Sequence, residues 1–97
     1  MKFNFHPDAL NEYSEAAHYY ASVSPSLAIS FVTQIEDGIN QILMYPEAWT
    51  EIEEDVRRYL TKQFPFGIYY TIESNDSILI QAIMHLRRLA CPGQGTI

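Results

Sequence analysis

Basic side chains late in the chain are the residues best suited to chemistry or recognition. A metal-free attack on a phosphodiester needs a proton acceptor and cationic groups beside the phosphate, and His85, Arg87 and Arg58 could supply them. A histidine at the end of a predicted strand is more often structural, so the pattern alone assigns no catalytic residue. We therefore interpret the late cationic residues first as contacts for a partner. They are Arg57, Arg58, Lys62, His85, Arg87 and Arg88.

The charges along the chain are sorted by position. Residues 1–55 contain one basic and ten acidic residues, whereas residues 56–97 contain five basic and two acidic ones. The second stretch is therefore cationic within a protein whose formal net charge is −6. A local positive field of this kind attracts an anionic partner or an acidic peptide. The acidic balance as a whole disfavours sequence-independent binding to nucleic acid, which depends on several phosphate contacts.

Arg57 and Arg58 allow two interpretations. They directly follow an acidic run, so a surface ion pair with Glu53, Glu54 or Asp55 is one of them, and such pairs contribute little to stability. Contact with a partner is the other. Because consecutive strand residues point to opposite faces, the two arginines cannot share one role.

Two helices are predicted in the first half of the chain. Residues 2–6 alternate like a short strand. Pro7 then opens a helix, since its missing N–H costs nothing at the first helical position. Ser24 and Pro25 interrupt that helix, with Ser24 as the expected N-cap of a second one. The second helix carries apolar residues at a spacing of about 3.6 residues and ends at Tyr45, before a proline.

The period of the sequence changes to two after an acidic connector at residues 47–55. Residues 56–64, 67–73 and 78–85 are predicted strands joined by short turns, which implies antiparallel hairpins. The last of these is almost wholly apolar, so we place it inside the sheet. The predicted fold is α+β, with the order β-α-α-β-β-β and a helical hairpin packed on one face of a small, mostly antiparallel four-stranded sheet. The chain forms one domain, residues 1–97, and the other sheet face is left partly open.

The composition argues against a disulfide-linked protein, a membrane-spanning protein and a metal- or cofactor-binding protein. Cys91 is the one cysteine, so no internal disulfide is expected and a reducing cytoplasm is the simplest compartment. No apolar run approaches the roughly 20 residues that cross a bilayer. Histidines and carboxylates are scattered without the spacing of metal ligands, so we expect neither a metal site nor a cofactor. The tail at residues 89–97 contains proline and glycine and is expected to be flexible.

Short motifs near the predicted strands form an ordered pattern. Val56-Arg57-Arg58 comes first, Phe64-Pro65-Phe66 and Ile68-Tyr69-Tyr70 follow, and His85-Leu86-Arg87-Arg88 comes last. Together with Tyr45-Pro46-Glu47-Ala48 after the second helix, they resemble the RelE/ParE superfamily of bacterial toxins from type II toxin–antitoxin pairs. The resemblance covers about residues 3–88.

The resemblance implies a cytosolic toxin that an antitoxin holds inactive. The antitoxin's C-terminal segment would cover the sheet and pack on the helical hairpin, and DNA would be reached only through the antitoxin. ParE-type members inhibit DNA gyrase, whereas RelE-type members cut mRNA in the ribosome. RelE-type ribonucleases usually place a catalytic tyrosine after the terminal His-Arg motif and are commonly basic, but no tyrosine follows Tyr70 in this acidic chain. We therefore expect the ParE-like branch, associated with plasmid stabilisation, and DNA gyrase as the target.

Two alternatives stay open at this point. The chain could be a ribosome-dependent mRNA endoribonuclease, in which His85, Arg87 and Arg58 would act. It could also be a non-toxic relic that only binds an antitoxin. A dimer and a heterotetramer with the antitoxin are both compatible with the resemblance.

Overall fold

The described part of the chain folds into two helices and five strands. The structure is a computed structural model that describes residues 2–74 and 76–86. Arg87, Arg88 and the predicted tail at residues 89–97 lie outside the described residues. The elements are β1 (Lys2–Phe5), α1 (Pro7–Val23), α2 (Pro25–Met44), β2 (Thr50–Glu53), β3 (Val56–Leu60), β4 (Phe66–Ser74) and β5 (Ser77–His85).

Both helices begin where the sequence predicts. His6 precedes α1 in an extended conformation, and its Nδ1 accepts a hydrogen bond from the Asp8 backbone N–H at 3.0 Å, which satisfies one of the free donors of the first turn. Pro25 opens α2, as expected. Ser24 is the N-cap of α2, as expected, but its side chain makes no capping hydrogen bond, because its hydroxyl lies 3.0 Å from the Ser26 hydroxyl instead.

The sheet has five strands, in the order β1-β5-β4-β3-β2, and not the four expected. β1 pairs with β5 in parallel, whereas the other three pairs of neighbours are antiparallel, so the sheet is mixed. β5 lies between β1 and β4, inside the sheet as its apolar sequence predicts. The α+β class and the helical hairpin agree with the sequence-based expectation.

The additional strand, β2, lies in the segment that the sequence presents as an acidic connector. Its four residues are all exposed at an edge of the sheet, so it lacks the apolar alternation that marks a half-buried strand. A tight turn, in which Asp55 has a φ of 66°, brings Glu53 opposite Val56 and pairs β2 with β3. β3 itself ends at Leu60, earlier than predicted, because residues 61–65 form the turn into β4.

The helical hairpin packs on one face of the sheet through the stripe predicted for α2. Gly38 lies where α2 is in close contact with the sheet: a Cβ built there would lie 2.8 Å from Ile68 Cδ1 and 2.9 Å from Tyr59 Cε1. The absence of a side chain at this position therefore lets the helix lie against the strands. The largest fully buried residues are Tyr70, Phe31, Ile35, Ile42, Ile68, Ile78, Ile80 and Ile83.

Candidate functional site

Arg57 and Arg58 point to opposite faces of the sheet, as the alternation of strand residues predicts. Arg57 lies opposite Tyr70, which belongs to the core beneath the helices, and Arg58 lies opposite Tyr69, which does not. Both helices pack on the face of Tyr70. We call the other face the open face, and its residues on β3 and β4 include Arg58, Leu60, Gly67, Tyr69 and Thr71.

The side chain of Arg57 is engaged by its own chain. Its Nη1 donates to the backbone carbonyls of Glu47 at 3.1 Å and Trp49 at 2.8 Å, and its Nη2 lies 3.6 Å from Glu51 Oε1. The ion pair therefore forms with Glu51, the cross-strand neighbour of Arg57, and not with the acidic residues directly before β3. These contacts hold the segment between α2 and β2 against the sheet.

Tyr70 lies opposite Arg57 on the helix-covered face and fixes the same segment. Its hydroxyl donates to the backbone carbonyl of Pro46, directly after α2. Burial raises the pKa of Tyr70 to about 12, and the nearby positive charge of Arg57 opposes part of this increase. The phenol is therefore neutral near pH 7 and cannot act as a proton acceptor there.

Two polar atoms on the open face are buried without a hydrogen-bond partner among the described residues. They are Arg58 Nε and the Tyr69 hydroxyl, which belong to cross-strand neighbours. Tyr69 is 7% exposed although neither α1 nor α2 packs on this face. Its ring lies over Gly67, where a Cβ would come 2.9 Å from Tyr69 Cε1. An unpaired buried donor costs about 1–3 kcal/mol, which an acceptor from a partner recovers.

The remainder of the open face mixes paired polar groups with exposed apolar ones. Gln81 Nε2 donates to Thr71 Oγ1 at 3.2 Å, and the Thr71 hydroxyl donates to Glu73 at 2.6 Å. Leu60 is 46% exposed, and Ile52 on the edge strand is 38% exposed. An apolar surface with a few unsatisfied donors is typical of a site that takes a protein segment.

His85 and Lys62 lie on the helix-covered side of the molecule. His85 pairs with Phe66 and contacts its ring edge-on at 5.2 Å between centroids, beside a pocket of 470 Å³ between α1 and β5. Lys62 borders a different pocket, which it shares with Asp37 of α2. The structure therefore places Arg58 apart from His85 and Lys62, because strand alternation and the turn after β3 put them on different sides of the sheet.

Metal-binding and membrane-spanning features are absent from the described chain. Within residues 2–74 and 76–86, no group of three or more histidine, cysteine, aspartate or glutamate residues could hold a metal ion. Over the same ranges, neither helix is long and apolar enough to cross a membrane.

Tyr69 is a residue of the open face that sequence reasoning does not single out. The doublet Tyr69-Tyr70 in a predicted strand indicates that one ring faces the core, but alternation alone does not say which one. The distinguishing signal is Gly67, whose missing side chain leaves room on the open face two residues earlier. Arg58, in contrast, is both predicted from the sequence and found as the neighbour of Tyr69.

Comparisons with known proteins agree with this architecture. The family described as "ParE toxin of type II toxin-antitoxin system, parDE" matches residues 3–90. Among solved structures, a chain of the chromosomal ParDE TA system from P. aeruginosa superposes with a TM-score of 0.73 at 17% identity, covering 88% of this chain and 95% of that chain, which shows the fold. No curated protein matches the chain. Because the family match spans nearly the whole sequence, the chain belongs to the ParE toxins of type II toxin–antitoxin systems.

Proposed function

We propose that this ParE toxin acts by binding DNA gyrase through its open face and that an antitoxin neutralises it. The observation that carries the proposal is the pair of buried donors at Arg58 and Tyr69, which have no hydrogen-bond partner among the described residues. Such groups weaken the free protein, and an acceptor from a partner satisfies them. The effect on gyrase is steric: the bound toxin stalls the enzyme's cycle and performs no chemistry of its own.

The composition of the open face favours a protein partner over RNA. An extended segment of gyrase offers backbone carbonyls and acidic side chains to Arg58 Nε and the Tyr69 hydroxyl, while Leu60 provides apolar contact. RNA binding depends on several phosphate contacts made by Lys and Arg. Among the described residues of β3 and β4, Arg58 is the one cation on this face, in a chain with a formal net charge of −6.

The geometry gives less support to the alternative of an mRNA endoribonuclease. That mechanism needs His85 and Arg58 at the same phosphate, but His85 pairs with Phe66 on the helix-covered face while Arg58 lies on the open face. A proton acceptor and a cation on opposite sides of a sheet cannot act on one scissile bond. Arg87 and Arg88 are proposed as partner contacts because of their charge and their position in the sequence directly after β5.

The antitoxin is proposed to contact the helix-covered side as well as the sheet. Lys62 and His85 each border a pocket beside a helix, so they are assigned to antitoxin contact and not to gyrase. Arg57 donates its guanidinium hydrogen bonds to the backbone carbonyls of Glu47 and Trp49, so we propose that it stabilises the sheet and does not contact a partner. The proposal places the toxin in the cytoplasm, where gyrase works.

The target is tested with the purified chain in two reactions run side by side. One is a gyrase supercoiling reaction, and the other is a translating ribosome with a defined mRNA. We expect inhibited supercoiling and an intact mRNA. Cleaved mRNA with normal supercoiling would overturn the proposal in favour of the ribonuclease.

Toxicity itself is tested by expressing the chain in growing bacteria without an antitoxin. We expect arrested growth, which returns when the product of the adjacent reading frame is expressed together with the toxin. Unimpaired growth at confirmed expression would identify the protein as a relic that only binds an antitoxin.

A further inference from the structure

The pocket between α1 and the end of β5 is bounded by acidic and aromatic side chains and by His85. It has a volume of 470 Å³, and its lining includes Glu12 and Glu15 from α1. Tyr19, Tyr20 and Phe66 form aromatic walls. The volume is enough for one long side chain from a partner, and the lining combines negative charge with flat apolar surface.

The pocket exists because β1 is shorter than the strand beside it. β1 ends at Phe5, which pairs with Ile80, while β5 continues to His85. Within residues 2–74 and 76–86, the last residues of β5 therefore have no strand on that side, and α1 lies there instead. Glu12 Oε1 accepts a hydrogen bond from the Ile83 backbone N–H at 2.9 Å, which satisfies one donor of this edge. That N–H is a neutral donor, so the hydrogen bond brings no positive charge to the pocket.

The negative charge of the pocket is not balanced within the helical layer. Residues 3–56 contain no lysine or arginine, so neither helix supplies a lysine or arginine to Glu12 or Glu15, and the basic side chain in the lining of the pocket is His85 of β5. Two carboxylates in a partly enclosed site attract a positive group more strongly than exposed carboxylates do, because the surrounding protein screens the interaction less than water does. The missing charge must come from outside the helical hairpin.

The aromatic walls indicate what kind of cation fits. Tyr19 is 64% exposed at the rim, and its ring meets Tyr20 edge-on at 5.3 Å between centroids. Phe66 lies deeper, in the core cluster. Rings of this kind attract a guanidinium or ammonium group and pack against the methylene stem that carries it. A bare metal ion gains nothing from them, since aromatic carbon is not a ligand for it.

We propose that this pocket binds an arginine or lysine side chain of the antitoxin, with arginine preferred. The carboxylates of Glu12 and Glu15 pair with the charged group, and Tyr19 stacks on it, because a planar guanidinium suits both contacts better than an ammonium. The inference deepens the proposed function and rests on antitoxin binding to the helix-covered side. It makes no use of the open face.

The first test uses the free, full-length chain and a small probe. Nα-acetyl-arginine amide is titrated into the isotope-labelled protein, and its citrulline counterpart, which has a neutral urea group of nearly the same shape, is the control. We expect the amide resonances of Tyr19 and Ile83 to shift and saturate with a dissociation constant on the order of millimolar for the arginine probe. Equal shifts with both probes, or none with either, would overturn the proposal.

Two isosteric variants identify the carboxylates without removing the helix–strand contact. Glu15→Gln should weaken binding of the arginine probe by about tenfold, the ratio expected for one lost charge contact. Glu12→Gln keeps an acceptor for the Ile83 N–H and should weaken the probe by a similar factor. Glu36→Gln, on the exposed side of α2, is the matched control and should bind the probe as the unaltered chain does. Unchanged affinity in both pocket variants would contradict the assignment.

The occupant is tested in the complex with the product of the adjacent reading frame. If the antitoxin fills the pocket, the arginine probe no longer shifts these resonances in the complex. If the probe still binds there, the antitoxin does not use the pocket and the proposal fails.

A tighter probe affinity in the Arg87→Ala/Arg88→Ala double variant of the free chain would show that the protein's own arginines occupy the pocket, which would also overturn the proposal. Inhibition of supercoiling should be equal for Glu15→Gln and the unaltered toxin, so the two proposals fail independently.

Discussion

Glu12 of α1 accepts a hydrogen bond from the backbone N–H of Ile83 in β5 at 2.9 Å, so a helix side chain satisfies one donor of the sheet edge where β1 has already ended. An unpaired strand edge is otherwise a site for pairing with another chain. The contact joins the first helix to the last strand across most of the sequence, and it positions both elements around the acidic pocket.

Loss of this contact should weaken the attachment of α1 to the sheet. Glu12→Ala leaves the Ile83 N–H without its acceptor and should lower the free energy of unfolding by about 1–2 kcal/mol. Urea denaturation measures this change, and faster amide exchange at Ile83 locates it. Glu12→Gln keeps the acceptor and should lose much less. Equal losses in the two variants would show that the carboxylate charge, and not the hydrogen bond, stabilises the edge.

The two consecutive arginines of β3 should behave differently when each is replaced. Arg57→Ala removes the donors to the Glu47 and Trp49 carbonyls and should cost about 1–2 kcal/mol of stability. Arg58→Ala removes a side chain whose Nε has no hydrogen-bond partner in the described part of the chain, and it should cost less. Thermal and urea unfolding of the two variants provide the comparison. A larger loss for Arg58→Ala would mean that the open face stabilises the fold and is not held for a partner.

Stability at alkaline pH should depend on Tyr70. Burial raises its pKa from 10.0 to about 12 in the folded chain, so the folded state binds more protons than the unfolded state between those values. Stability from this group is therefore fully present below pH 10 and is lost as pH rises through 12. Burial raises the pKa of Tyr13 and Tyr20 as well, which acts in the same direction.

The variant Tyr70→Phe isolates that contribution. At neutral pH it leaves the Pro46 carbonyl without its donor and should cost about 1 kcal/mol. Above pH 10 its stability should decline less steeply than that of the unaltered chain. Urea unfolding at a series of alkaline pH values gives both quantities. Parallel curves over the whole range would contradict the raised pKa.

The position of Gly38 should tolerate no side chain. Alanine favours a helix by about 1 kcal/mol over glycine, but its Cβ would lie 2.8 Å from Ile68 Cδ1 and 2.9 Å from the ring of Tyr59. Overpacking costs about 1–3 kcal/mol, so Gly38→Ala should destabilise the protein despite its better helix propensity. Ser30→Ala, on an exposed position of the same helix, is the control and should be neutral or slightly stabilising. A stabilised Gly38→Ala variant would show that α2 can move away from the sheet without cost.

Local signals in the sequence predict the helical half of this fold well. Pro7 and Pro25 start helices because their ring geometry acts within one residue, and the apolar stripe of α2 follows from the helical period. The inner position of β5 follows from its almost wholly apolar sequence. These features depend on neighbours in the chain, which a sequence displays directly.

The features that the sequence does not predict depend on partners distant in the chain. β2 is a strand because Arg57 and Arg58 lie opposite its residues, and no alternation of its own marks it. The separation of His85 from Arg58 follows from the pairing of β5 with β4, which fixes the face of each side chain. The placement of Tyr69 on the open face likewise cannot be predicted without knowing which of the two tyrosines faces the helices.

Binding of purified DNA gyrase to the toxin and its Tyr69→Phe variant tests the central claim most directly. The substitution removes one unpaired, buried hydroxyl, so the variant should be as stable as the unaltered toxin or more so, yet bind gyrase about fivefold to tenfold more weakly. Lys62→Ala, altered on the helix-covered side, should bind normally. Unchanged gyrase affinity in Tyr69→Phe, at preserved stability, would contradict the assignment of the open face as the gyrase-binding surface.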